Sequence, residues 1–138
     1  MNQTQLSPEV IQAYLETNYQ AGDILLQVGL ESRRLQAAMA EYGVTGCVFI
    51  TAWNPYSQAN DDVSNAKAQD LLRSEVGLRG WPAVEGFGKH PSNDWPAEAS
   101  LLVFGPGREE ARALGRRFGQ NAVVWTDYNA VPQLELLQ

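Results

Sequence analysis

The sequence predicts a single α+β domain, and three observations carry that expectation. Residues 46–53 and 99–104 are apolar at both parities and rich in β-branched and aromatic side chains, as strands covered on both faces are. From about residue 46 to 126 the order reads strand, helix, strand, strand, helix, strand, which is the βαββαβ order of a ferredoxin-like core. In that order the first and third strands are central, and they are the two runs apolar on both faces, so topology and burial agree from separate signals. An N-terminal helix–strand–helix extension and a C-terminal strand complete the expected architecture. A sheet buried on both faces needs a third layer, which the extension should supply in part.

Ser7, Pro8 and Glu9 open a first helix with a capping hydroxyl, proline at the first helical position and an acid in the first turn, extending to about Tyr19. Ile24, Leu26, Val28 and Leu30 alternate within residues 23–30 as a half-buried strand requires. Residues 31–41 read as helix ending at Gly43 in a left-handed cap. After the central strand over 46–53, Asn54 and Pro55 stop the ladder. Asp61 or Asn60 caps a helix through about Val76 with Gly77 just past its end, its inner stripe made by Asn65, Ala68, Leu72 and Val76. Residues 81–87, interrupted by Pro82 and Gly86, predict an edge strand, and residues 89–96 a loop. A helix over residues 108–118 closes at Gly119, and residues 121–125 and 131–137 read as two last strands.

Composition restricts partners more than it names them. With 138 residues, 44% hydrophobic and 19% charged, the chain fits one domain able to bury a core. Its formal charge of −6 repels phosphate backbones and anionic bilayers, so neither nucleic acid nor membrane is expected as a partner. No apolar run is long enough to span a bilayer and no leader is recognisable before Glu9, so the cytoplasm is the expected compartment. One cysteine, Cys47, and one histidine, His90, leave no basis for an internal disulfide or a thiolate–imidazole zinc site. No cofactor fingerprint occurs, so no cofactor or metal is expected; the oligomeric state is not readable. Cys47 should be a buried small hydrophobe, and His90 an exposed loop residue.

Candidate site residues gather at predicted strand ends. Thr51 and Asn54 end a central strand before a loop and a helix, where open α/β sheets place ligand-contacting groups; a simple Asn-Pro turn is the plainer reading and carries more weight. Asn65 faces back toward that end, either as a ligand contact or as a buried amide holding the Asn54 loop. Glu98 precedes the second interior strand, and Ser100 lies inside it. Glu98 is the best single candidate for a general base or ligand acceptor, against the commoner case of a solvated loop acid. The amide of Gln120 follows the Gly119 cap and could reach Thr51 or Glu98 across the sheet, or merely cap carbonyls. Gly105, Pro106 and Gly107 resemble an anion-binding helix start only weakly, since Glu109 and Glu110 already occupy the favourable positions. Arg108, Arg112 and Arg116 form a stripe on the last helix that could grip an acidic partner or be a solvated face. Phe49, Trp53 and Phe104 could stack bases, but their apolar neighbours make them core residues.

Three strings carry a resemblance: Phe49-Ile-Thr-Ala-Trp-Asn-Pro55, Trp95-Pro-Ala-Glu-Ala-Ser-Leu-Leu-Val103 and Arg116-Arg-Phe-Gly-Gln-Asn-Ala-Val-Val-Trp125. Together they resemble a bacterial family catalogued as domain of unknown function 3293, over about residues 14–137. The resemblance implies a small cytoplasmic protein, carries no activity, and points to Thr51, Asn54, Asn65, Glu98, Ser100 and Gln120 as the matched polar positions. Three functions stay open. The first is a pocket for a small polar or nucleotide-like ligand, oriented by amides with Glu98 as its charged acceptor. The second is a metal-independent enzyme with Glu98 as base, and the third an interaction module docking through the Arg108, Arg112 and Arg116 face or through a sheet edge.

Overall fold

The computed structural model describes residues 4–138; the first three, part of the segment read as lacking a leader, lie outside it. Its helices are α1 (Pro8–Glu16), α2 (Arg33–Tyr42), α3 (Asp62–Leu78) and α4 (Arg108–Arg117). Its strands are β1 (Asn18–Ala21), β2 (Ile24–Leu26), β3 (Cys47–Ile50), β4 (Ala83–Lys89), β5 (Glu98–Phe104), β6 (Ala122–Thr126) and β7 (Gln133–Leu136). They form one seven-stranded sheet in the order β2-β1-β4-β5-β3-β6-β7, every neighbouring pair antiparallel. The class is α+β, as expected.

Strands β3 and β5 lie at the centre, and residues of both parities are buried along them. On one face Val48, Ile50, Leu101 and Val103 pack with Leu72 and Val76 of α3 and Ala111 and Leu114 of α4. On the other, Phe49, Leu102, Phe104 and Val124 pack with Leu35 and Met39 of α2 and with Tyr19, Ala21, Ile24 and Leu26 of the β1–β2 hairpin. Local signals set the helix ends: Ser7, Ser32 and Asp61 accept backbone amides at the starts of α1, α2 and α3. Gly43 ends α2 in the left-handed region at φ 69°. Glu110 accepts the Gly107 amide at 2.9 Å, so the start of α4 is capped from within the chain.

The structure corrects several boundaries. Helix α1 stops at Glu16 rather than near Tyr19, because Thr17 folds its hydroxyl onto Ala13 O at 2.7 Å and turns the chain into β1. The extension is therefore helix, hairpin, helix: the strand expected over residues 23–30 is confined to Ile24–Leu26 and pairs with a second strand, the first half of which the helix reading had absorbed. Gly77 lies inside α3, and the left-handed residue after that helix is Gly80 at φ 72°. The last strand starts at Gln133, after Pro132.

Strand β4 is not an edge. It pairs with β5 on one side and β1 on the other, and the hairpin moves the edge out to β2. Pro82 precedes the strand and costs the ladder nothing; its carbonyl accepts Phe104 N at 2.8 Å. Gly86 reports a close approach of backbones instead, since a Cβ there would sit 2.3 Å from Gln20 O and 3.1 Å from Ala21 Cα. Gly86→Ala should thus push β1 off β4 and cost about 1–3 kcal/mol in urea denaturation. Gly88→Ala, whose Cβ would meet side chains alone, the Tyr19 ring at 3.4 Å and Thr17 Cγ2 at 3.7 Å, should cost clearly less in the same measurement.

Cys47 is fully buried in β3, and burial pushes its thiol up to about 12. The folded protein should resist alkylation by iodoacetamide at neutral pH and take up one equivalent only when unfolded in urea, as read by mass spectrometry.

Candidate functional site

A cavity of about 290 Å³ opens beneath α1, at the end of the sheet where β3 leads out to Asn54 and β5 begins. Val10, Ala13, Tyr14 and Thr17 line it from the α1 side, at the i, i+3, i+4, i+7 spacing of one helical face. Its sheet side is made by Tyr19, Phe49, Ser100, Ala122, Val124 and Leu134. Phe49 and Tyr19 meet edge to face with centroids 5.2 Å apart, so the ring expected in the core is a core residue that also lines the cavity. Volume and lining suit a small molecule with an apolar body, at the small end of known ligand cavities.

Polar groups cluster at one side. Glu98, the first residue of β5, accepts at Oε2 from Asn54 Nδ2 at 2.8 Å and from Trp95 Nε1 at 2.9 Å. The loop that brings Asn54 there has three non-glycine residues in the left-handed region, Asn54 at φ 47°, Tyr56 at φ 58° and Ser57 at φ 58°. Such conformations cost roughly 1–3 kcal/mol each and persist only where surroundings hold them. Asn65 does the holding: its Oδ1 accepts Asn54 N at 2.9 Å and its Nδ2 donates to Asn54 Oδ1 at 2.9 Å. Asn54 Oδ1 also accepts Asn60 N at 2.9 Å, and Gly119 O accepts Tyr56 N at 2.7 Å.

Thr51, Asn54, Glu98, Ser100 and Gln120 all line this one cavity, although they come from β5, two loops and the end of β3. Asn65 does not line it. Buried on α3, it acts through Asn54, as the loop-holding alternative for that residue described. The sequence reading missed Tyr14, Ser57 and Trp95, and it missed Gln69, whose Oε1 accepts Ala52 N at 2.9 Å beside the loop. Tyr14 was legible from the α1 stripe, and Trp95 from its position three residues before Glu98. Ser57 had no sequence signal; it bonds Tyr14 Oη at 2.8 Å and accepts Asn121 Nδ2 at 2.8 Å only because the loop turns back.

His90 departs from the expectation of an exposed loop residue. Its side chain is 11% exposed and lines the cavity, with Nε2 2.9 Å from Glu16 Oε1. Burial raises the Tyr14 phenol above its ordinary value, and the charge of Glu98 adds to that shift. Tyr19 is raised more strongly, again by burial first. Both hydroxyls are protonated at neutral pH; that of Tyr19 donates to Tyr14 O at 2.8 Å, and that of Tyr14 is paired with Ser57 Oγ.

Two arginines of the stripe are paired within the chain. Arg108 Nε and Arg112 Nη1 reach Oε1 of Glu135, a 4%-exposed carboxylate on β7, at 2.7 and 3.1 Å, while Arg116 is exposed. Among the described residues no group of three His, Cys, Asp or Glu side chains is placed to hold a metal ion, and no helix is long and apolar enough to cross a membrane.

Residues 50–123, more than half of the chain, match the model of a family described as "Protein of unknown function (DUF3293)". The chain belongs to this family. No curated protein and no solved structure matches it significantly. The DUF3293 match is shorter than the span of the sequence resemblance, but it contains all six polar positions that the resemblance pointed to. It takes in the Asn54 loop, Glu98 and Gln120, whereas α1 and the β1–β2 hairpin fall before it.

Asn65→Ala should leave Asn54 N and Oδ1 short of a partner and cost about 1–3 kcal/mol. Asn60→Ala, which removes an exposed side chain and keeps the backbone bond, should stay within about 0.5 kcal/mol. Urea denaturation of both variants checks the pair.

Proposed function

We propose that this DUF3293 domain binds a small polar molecule in the cavity beneath α1, with Glu98 as the charged acceptor and the Asn54 loop as the element that fixes it. The cavity is the observation that carries this reading: five residues selected for their chemistry, from three separate stretches of the sequence, line one apolar-floored space. Strained backbone at Asn54, Tyr56 and Ser57 supports it, because conformations of this cost collect at functional sites. The scaffold is read as a ferredoxin-like unit with additions at both sides. Supporting that are the neighbour order β4-β5-β3-β6, with α3 connecting β3 to β4 and α4 connecting β5 to β6. Pairing of Arg108 and Arg112 with Glu135 weakens the case for docking through that helix face, although Arg108 stays exposed. The enzyme reading would need a reacting group beside Glu98, and binding is the common first step of both.

A thermal-shift screen of the full chain against a metabolite library tests the proposal. Saturating hits near a hundredfold excess over Kd should add about 2.7 kcal/mol of stability and raise Tm by roughly 5–10 °C. Asn54→Ala and Glu98→Ala should lose that rise. Hits that stabilise both variants as much as the parent, or a library without any hit, would sink it.

A further inference from the structure

The hydrogen-bonding inventory of the cavity indicates what kind of molecule fits, and this step rests on the cavity being a binding site. Fixed donors around it are committed to the protein itself. Thr51 Oγ1 donates to Ala99 O at 2.6 Å and Ser100 Oγ to Glu98 O at 3.0 Å. Gln120 Nε2 donates to Trp53 O at 3.3 Å and Phe118 O at 3.2 Å, while the Trp95 indole and one Asn54 amide hydrogen serve Glu98.

His90 is engaged with Glu16 and with its own loop rather than with Glu98. Its Nδ1 accepts the backbone amides of Ser92 and Asn93, both at 3.1 Å, and its Nε2 lies 2.9 Å from Glu16 Oε1. Among the described residues no lysine or arginine lines the cavity. Lys89 is turned onto the carbonyls of Asn93 and Trp95, at 2.9 and 2.8 Å.

Two acceptor oxygens of lining residues, Glu98 Oε1 and Gln120 Oε1, make no hydrogen bond to any described residue, whereas the remaining donors are neutral: one hydroxyl proton of the Tyr14–Ser57 pair and amide hydrogens of Asn54 and Asn93. An unneutralised carboxylate beside apolar walls attracts a cation more strongly than it would in open water and repels an anion.

We infer that the ligand is a small protonated amine or amidine on an apolar body, its N–H groups taken by Glu98 Oε1 and its body lying against Phe49, Val124 and Leu134. A phosphate-bearing nucleotide is the wrong class, because no charged donor meets its phosphates.

Matched compounds sharing one apolar body test the charge separately from the cavity: 2-phenylethylamine, 2-phenylethanol and phenylacetate. Each is titrated into the ¹⁵N-labelled full chain, following the Trp95 indole and Asn54 side-chain resonances. The amine should bind at least tenfold more tightly than the alcohol, and phenylacetate should not bind. Glu98→Gln keeps an oxygen for Asn54 and Trp95 while removing the charge, so it should erase the advantage of the amine and leave the alcohol unchanged. An alcohol or acid that binds as well as the amine overturns the cationic preference and leaves the cavity reading standing. If none of the three perturbs these resonances, both inferences fall.

Discussion

Central strands with two apolar faces are the constraint on which this structure depends. β3 and β5 cannot leave either face to water, so a helical layer is required on each side. Helices α3 and α4 fill one side with aliphatic residues. The opposite side is shared between α2, the β1–β2 hairpin and α1, and α1 is nine residues long with none of them fully buried. Where α1 alone is the cover, the layer is incomplete and the cavity remains.

Placement of the polar groups follows from the same arrangement. A strand that ends in the middle of a covered sheet must bring its following loop out past buried side chains, and its backbone amides need partners on the way. α3 supplies them through two buried carboxamides, Asn65 to Asn54 and Gln69 to Ala52. Those contacts hold a left-handed turn that no residue type in it favours strongly, apart from asparagine itself. Asn54 then has one amide hydrogen to give to Glu98, and the carboxylate is fixed by two donors on a single oxygen. Asn65 and Glu98 are thus linked through one side chain, the first by fixing the loop and the second by facing the cavity.

Much of the fold was legible because its signals are local. Caps at Ser7, Asp61 and Gly43, the helix over residues 108–117 and the two doubly apolar strands follow from side-chain type and spacing within a few residues. The errors came where a distant partner overrode the local pattern. Asn18 and Tyr19 continue the helical rhythm acceptably, yet pairing with β4 and packing of Tyr19 on Phe49 make them, with Gln20 and Ala21, a strand. Gly86 reads locally as a weak strand, but the approach of Gln20 O explains it. His90 reads as an exposed loop residue until Glu16, 74 positions away, closes over it.

For this chain the sequence alone determined the class, the two central strands, the absence of clustered thiol and imidazole ligands, and which polar residues stand at strand ends, since each depends on composition or on neighbours a few positions apart. Tertiary structure alone decided that Thr51, Asn54, Glu98, Ser100 and Gln120 share a cavity, that Asn65 serves it from outside, and that Tyr14 and Ser57 belong to it. Hydrogen-bond partnership and enclosure are properties of pairs distant in the chain, and only the folded path sets the distances between them.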